Sequence, residues 1–312
     1  MPVPGSRQRG AEAAGAAGSG SGVRELEVEG LAGGHSEEGL LRDLVQLGVC
    51  EGDTLFVQSS LRSIGRVDGG AAAVVRALRR ALGADGTLVA YTATPENSTS
   101  SREFRAATAG LGEAALERHR SRMAAFDPLT TPCSPSVGRL SEEIRTTPGA
   151  LRSSHPQTSF AALGPQAEKI VWRHPLDCHL GDESPLGRLY EQGASALLIG
   201  IPDWLCTGYH LAEYRVPRRP LRHYSCLVAD AQGVGRWRNF EDLDLDDRHF
   251  PALGASVRQE VDFGTGRLGD ADCFRVPLVE AVDAAARWLL HNDPSDPDHT
   301  CMVDERSDRA VE

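Results

Sequence analysis

The chain has 312 residues, of which 40% are hydrophobic and 25% charged, a balance ordinary for a soluble globular protein with room for one large α/β domain or two small ones. Its net charge of −11, from 44 acidic against 33 basic residues, argues against nucleic acid as a partner, because phosphate binding needs a basic footprint. The same sign suits a cationic ligand, and serves solubility alone equally well.

The first 34 residues, rich in Gly, Ala and Ser, read as a disordered tail, with no apolar core of the kind a secretory signal carries. From residue 35 the pattern changes. "SEEGLLRDLVQLG" has a capping serine, early glutamates, apolar positions at helical spacing and a closing glycine. "TLFVQSS" is short, apolar and β-rich, "GGAAAVVRALRRALG" is helical, and "GTLVAYT" is again a strand. Strand, helix, strand at this spacing predicts a βαβ unit with parallel pairing, and "ASALLIGI" predicts a further strand. The fold class is α/β, with residues 35–291 as one domain. "FDPLTTPCSPSVG" carries too many prolines for an element interior and reads as a structured loop. "CFRVPLVEAVDAAARWLLHN" reads as a final helix with Val279, Val282, Ala286, Trp288, Leu289 and Leu290 on its apolar face. Residues 292–312 read as a second tail.

No apolar run is long enough to span a membrane. Seven cysteines without a CxxC pair argue against a disulfide framework and for a reducing compartment, most simply the cytoplasm.

Several polar constellations can carry chemistry. In "FVQSSLRSIG", Ser59, Ser60 and Ser63 follow an apolar strand, where amides and hydroxyls can hold a phosphate or simply cap a turn. In "GALRSSHPQTSFAALG", Arg152, Ser153, His155 and Ser159 can line a pocket or form a surface loop. Asp182 and Glu183 precede a Ser-Pro helix start, where they can cap the helix or face a cation. Five carboxylates crowd residues 241–247, as a solvated loop or a polyamine-binding wall. In "DWLCTGYHLAEYRV", His210 and Glu213 share one helical face, so the carboxylate can fix the imidazole tautomer and leave the other nitrogen as a base. A buried structural histidine is the commoner outcome for such a pair. No zincin spacing is present, so no metal is expected, and Cys206 with His210 offers a less favoured thiolate couple.

The blocks "GDTLFVQSSLRSIGRVDGG", "FDPLTTP", "PGALRSSHPQTSFAALG", "GDESPLGRLYEQGASALLIG" and "TGYHLAEYR" occur in the order and spacing seen in the aminoglycoside 3-N-acetyltransferases. The stretches from "RWRNFEDLDLDD" to "FGTGRLGDADCFRVPLVEAVDAAARWL" also resemble that family's closing segment, so the resemblance covers roughly residues 36–291. It implies a single α/β domain, with a mixed or parallel central sheet and flanking helices, unlike the GCN5-type acetyltransferases. It implies acetyl transfer from acetyl-CoA to the 3-amino group of a deoxystreptamine ring in a ternary complex, without metal. Carried onto this chain, it implies His210 as general base, Glu213 as its orienting acid and Thr207 beside the thioester carbonyl. Ser59, Ser60, Leu61, Arg62, Ser63, Arg152, Ser153, His155 and Ser159 fall to the acetyl-CoA side. Asp127, Asp182, Glu183 and Trp204 are candidates on the side of a small cationic substrate.

The chain departs from the family where Cys206, Thr207 and Gly208 replace a frequent Asn-Thr-Ser, at Trp204, and across "STSSREFRAATAGLGEAALERHRSRM". These departures bear on the substrate. An N-acetyltransferase of the same mechanism acting on another amine therefore stands as the alternative, with a Cys206/His210 acyltransferase or hydrolase and a non-catalytic CoA-binding protein behind it. Monomer and homodimer are not distinguished by the sequence.

Overall fold

The computed structural model describes residues 33–217 and 219–292; both expected tails fall almost wholly outside the described residues. Ser36 opens α1 (Glu37–Gln46) with its hydroxyl accepting the Gly39 N–H, as the capping pattern predicts. The predicted strand, helix, strand unit is present as β1 (Thr54–Ser59), α2 (Gly70–Leu82) and β2 (Thr87–Tyr91), with β1 and β2 parallel from Thr54 opposite Thr87 to Val57 opposite Ala90.

Three short helices follow: α3 (Arg102–Thr108), α4 (Glu113–Arg122) and α5 (Arg139–Thr146). The proline-rich segment between α4 and α5 is irregular apart from one 3-10 turn over Pro135–Val137. Next come β3 (Leu151–Arg152), β4 (Phe160–Leu163), α6 (Ala167–Val171), α7 (Pro185–Glu191), β5 (Ser195–Ile199) and α8 (Tyr209–Tyr214). A hairpin of β6 (Leu221–Ala229) and β7 (Gly235–Leu243) precedes α9 (Phe250–Glu260), β8 (Gly264–Leu268), β9 (Ala271–Pro277) and α10 (Leu278–His291).

Seven strands form one mixed sheet in the order β3-β4-β2-β1-β5-β9-β8. The central β2, β1 and β5 are parallel, and antiparallel strands flank them on both sides. The centre is apolar on both faces because helices cover both. Leu55 and Val57 of β1 join Leu88, Leu197 and Ile199 under α1, α2 and α5. Phe56 points the other way, with Val89, Phe160, Ala196 and Leu198, under α6 to α10. Burying each such side chain contributes about 1.5–3 kcal/mol, so this alternation fixes the register firmly.

The end of the chain differs from the sequence expectation. Residues 271–277 are a strand, antiparallel to β5, and the final helix starts only at Leu278. Ala271 and Cys273 belong to the core on one face and Phe274 and Val276 pack into that on the other, and Pro277 cannot donate a helical hydrogen bond, so it marks the change of period. The buried face of α10 is Leu278, Ala281, Val282, Ala285 and Leu289, while Leu290 is exposed. The β6–β7 hairpin also takes up part of the acidic run expected as a loop: Asp242 is 5% exposed and anchors the hairpin to the body. No described helix is long and apolar enough to cross a membrane.

Candidate active site

A cavity of about 410 Å³ opens where the parallel strands end. In open α/β sheets this is the usual place for a ligand, because chain leaves the sheet there in diverging loops. Gln58 and Ser59 from β1, Tyr91 from β2 and Ile201 after β5 form its floor. Thr207 and His210 line one wall, Ser136 and Ser141 another, and Asp247 and Phe250 close it from the segment leading into α9. The turn after β5 is tight: Gly200 has φ +62°, and a side chain there would meet Ser63.

α8 carries the central pair. Three residues apart on one helical face, His210 and Glu213 meet with Nδ1 to Oε2 at 2.6 Å. A carboxylate can only accept, so Nδ1 carries the hydrogen and Nε2 holds a lone pair. The Glu213 carboxylate is 3% exposed, and its other oxygen receives the Asp246 amide at 3.5 Å with His249 Nε2 3.8 Å away. His210 itself stays 17% exposed on the cavity wall, with its ring against Phe250 at 4.7 Å between centroids. The result is an imidazole whose tautomer is set from behind and whose basic nitrogen is left for a ligand.

Thr207 lies in the same cavity and is held by Gln58, which donates to its hydroxyl at 2.7 Å and accepts its backbone N–H at 3.0 Å. Cys206 is fully buried beneath it. Burial pushes its thiol up to about 12, and its backbone carbonyl accepts the Tyr209 N–H at 3.1 Å. A thiol so raised is a poor source of thiolate. Cys206 lines the same cavity as His210, and no hydrogen bond joins the two side chains.

The structure brings together Ser59, Cys206, Thr207, His210 and Glu213, with Asp247 of the acidic run, and places the remaining sequence candidates elsewhere. Ser63 bonds Ser60 at 2.9 Å and the Gly200 carbonyl at 3.2 Å, stitching the turn that also holds Leu61 and Arg62. None of these four residues lines the cavity. In the expected loop, Arg152 is half-buried and Ser153, His155 and Ser159 are interior. The Arg152 guanidinium donates to Ser159, to Thr92 and to the Thr131 carbonyl and lies over Phe126, and burial lowers it to about 10. Ser153, His155 and Ser159 are at most 1% exposed, because their polar groups satisfy buried backbone and imidazole partners.

The substrate-side candidates also fall elsewhere. Asp127 accepts the Leu129 N–H in its own turn, and Asp182 pairs with Arg215 at 2.8 Å on the surface beside exposed Glu183. Trp204 packs into the core against Gly254 of α9, where any side chain would collide with it, and its neighbour Leu205 faces the cavity. Of the acidic run only Asp247 reaches the cavity. Asp247 belongs to the acidic run noted in the sequence, whereas Gln58 carries no local motif. The one sequence sign for Gln58 is its place just before the serines at the end of an apolar strand.

The mixed sheet, the flanking helices and a histidine–glutamate pair at the strand ends define a single α/β domain outside the GCN5-type acetyltransferase fold. Residues 56–290 match the family model described as aminoglycoside 3-N-acetyltransferase, and the chain belongs to that acyltransferase family. It is 34% identical over 266 residues to the SPbeta prophage-derived aminoglycoside N(3')-acetyltransferase-like protein YokD of Bacillus subtilis, covering 85% of this chain and 96% of the relative. The crystal structure of YokD superposes with a TM-score of 0.79. Aminoglycoside N(3)-acetyltransferase VIII of Streptomyces fradiae is 37% identical over 281 residues, at 85% and 96% coverage. A solved structure of AAC-IIIb in binary complex with CoASH is 29% identical with a TM-score of 0.71, covering 81% of this chain and 96% of that one.

Proposed function

We propose that this protein transfers an acetyl group from acetyl-CoA to the 3-amino group of an aminoglycoside's deoxystreptamine ring, with His210 as general base. The observation that carries the reading is the His210–Glu213 pair at 2.6 Å, presented to a cavity that also holds the Thr207 hydroxyl. Further support comes from the relatives, one named an aminoglycoside N(3)-acetyltransferase and another solved with CoASH.

The chemistry requires each part. An ammonium group has no lone pair, so His210 Nε2 first takes a proton from the amine. The freed nitrogen attacks the thioester carbon, and the carbonyl oxygen becomes an oxyanion that the Thr207 hydroxyl can stabilise. Collapse of that intermediate breaks the carbon–sulfur bond; the proton held by His210 passes to the departing thiolate, and the surplus proton left on the nitrogen is released to solvent, leaving a neutral amide. Glu213 stabilises the imidazolium between these two transfers. Asp247 offers a carboxylate to the polycationic substrate, and the Ser59, Ser136 and Ser141 hydroxyls can bind the polar arm of acetyl-CoA. Amine and thioester meet directly in a ternary complex, and no acetyl-enzyme forms.

The test is a thiol-release assay with acetyl-CoA and a panel of gentamicin-, neomycin- and apramycin-type aminoglycosides, followed by mass mapping of the acetylated amine. Drug-dependent release with acetylation at the 3-amino group is the expected result. Turnover of other primary amines with no turnover of any aminoglycoside would replace the substrate while keeping the chemistry. Acetyl-CoA hydrolysis or acetylated Cys206 would contradict direct transfer.

A further inference from the structure

Gln58 and Thr207 lie 149 positions apart in sequence, yet the Gln58 carboxamide meets Thr207 at two points. Its Oε1 accepts the Thr207 backbone N–H at 3.0 Å, and its Nε2 donates to Thr207 Oγ1 at 2.7 Å. The first bond decides which end of the amide is oxygen, because a backbone N–H can only donate. The second then follows without choice: the threonine oxygen is the acceptor. Its own hydrogen must point away from Gln58, and both residues line the cavity that holds His210. The Thr207 backbone N–H, the other donor at this position, is already used.

We infer that Gln58 is a positioning residue for the acyl transfer, one that holds the Thr207 hydroxyl as a hydrogen-bond donor toward the reacting thioester oxygen. A free threonine hydroxyl can rotate and can serve as acceptor as readily as donor. An oxyanion needs a donor already aimed, and a donor held before reaction loses nothing to reorientation in the transition state. Gln58 thus acts on the substrate only through Thr207. The inference rests on the reading of Thr207 as the oxyanion donor, and the experiment separates the two.

The informative variant is Gln58→Glu, which keeps the size and still accepts the backbone N–H. Its second oxygen, when ionised, can only accept, so the Thr207 hydroxyl turns to donate to it and is lost to the substrate. Thr207→Val is expected to lower kcat by roughly 10²–10³-fold, the cost of one oxyanion donor, and Gln58→Glu by most of that factor with little change in KM for acetyl-CoA. A protonated carboxyl regains a donor. The ratio of Gln58→Glu to wild-type kcat should therefore rise as pH is lowered from about 8 to about 5.5, toward the carboxyl range. In the Thr207→Val background, Gln58→Glu should cost nothing more.

Wild-type kcat in Thr207→Val would remove the oxyanion reading itself. An impaired Thr207→Val beside a fully active Gln58→Glu would leave that reading standing and overturn the role of Gln58. An added loss in the double variant would show Gln58 acting directly on the substrate, against the inference. A lowered Gln58→Glu rate whose ratio to wild type stays flat with pH would mark a merely structural loss, and overturn it equally.

Discussion

The molecule contains two buried carboxylates that each hold a histidine, and they do opposite things. On α8, Glu213 takes one nitrogen of His210 and leaves the other facing a cavity. Under the β6–β7 hairpin, Asp242 takes Nδ1 of His179, while Nε2 of the same ring reaches Gln157 Oε1 at 2.6 Å. Asp242 also receives the His179 backbone N–H at 2.6 Å and the Tyr214 hydroxyl at 2.8 Å. The rings of His155 and His179 lie 4.6 Å apart, with His174 on the far side of His155 at 4.7 Å. Every nitrogen in this cluster has a partner: His155 accepts two backbone amides and donates to the Leu176 carbonyl, and His174 accepts from Ser153 and donates to the His179 carbonyl. A histidine–carboxylate pair is therefore not in itself a site. An unengaged second nitrogen with space in front of it is what makes one.

That contrast can be broken most sharply by truncating each histidine. His210→Ala should lower kcat by roughly 10²–10⁴-fold, the span of a general base. His179→Ala should instead destabilise the protein by about 3–5 kcal/mol in denaturant titration, because Asp242 is left buried with its charge uncompensated. Unchanged turnover in His210→Ala, or unchanged stability in His179→Ala, would erase the distinction.

The second test is acidification. Burial, then the neighbouring imidazoles, hold His155 well below the ordinary histidine value, and burial lowers His174 to about 3. Both stay neutral in the fold but take up protons near pH 6.5 once unfolded. With their folded values depressed, the unfolded chain binds more protons, so stability is full above about pH 6.5 and falls as pH drops below it. Each histidine contributes a slope approaching about 1.4 kcal/mol per pH unit. Unfolding midpoints followed from neutral pH downward should show this fall, and His174→Gln should make it shallower. A flat profile would mean that the cluster is not held neutral.

Smaller effects refine the picture at the active pair. Glu213→Gln keeps the shape and a hydrogen-bond acceptor but removes the charge that stabilises the imidazolium. It should lower kcat by less than His210→Ala does, with KM for acetyl-CoA little changed. Cys206→Ser, a near-isosteric change at a buried position, should leave turnover at the wild-type level, and thiol alkylation of the folded enzyme should do the same. Loss of activity on alkylating Cys206 would reopen a thiol mechanism.

The same contrast explains what could be read from the sequence. The βαβ unit was legible because strand and helix periods are local, and so was the His210–Glu213 pairing, since i and i+3 on a helix always share a face. The polar run from Arg152 to Ser159 was not. Its hydroxyls and imidazole look like a ligand loop until Leu176, His174 and Thr92 arrive from distant segments to satisfy them. The strand β9 was hidden by the apolar helix that follows it without a turn signal, and only Pro277 marks the boundary. Gln58 was illegible for the same reason in reverse, since its place beside His210 comes from the sheet order, while Asp247 was legible as part of an acidic run but not as the member that the return of the chain after β7 brings to the cavity.

The account turns on the open nitrogen of His210, and an acylating probe of imidazole reads it directly. Diethylpyrocarbonate can be added in limiting steps to the folded enzyme, with residual acetyl transfer and modified histidines followed by peptide mass mapping. Modification of His210 should track the loss of activity one for one, while His155, His174 and His179 stay unmodified until the protein unfolds. Full activity with His210 modified, or activity lost while His210 is untouched, would contradict the assignment of His210 as the base.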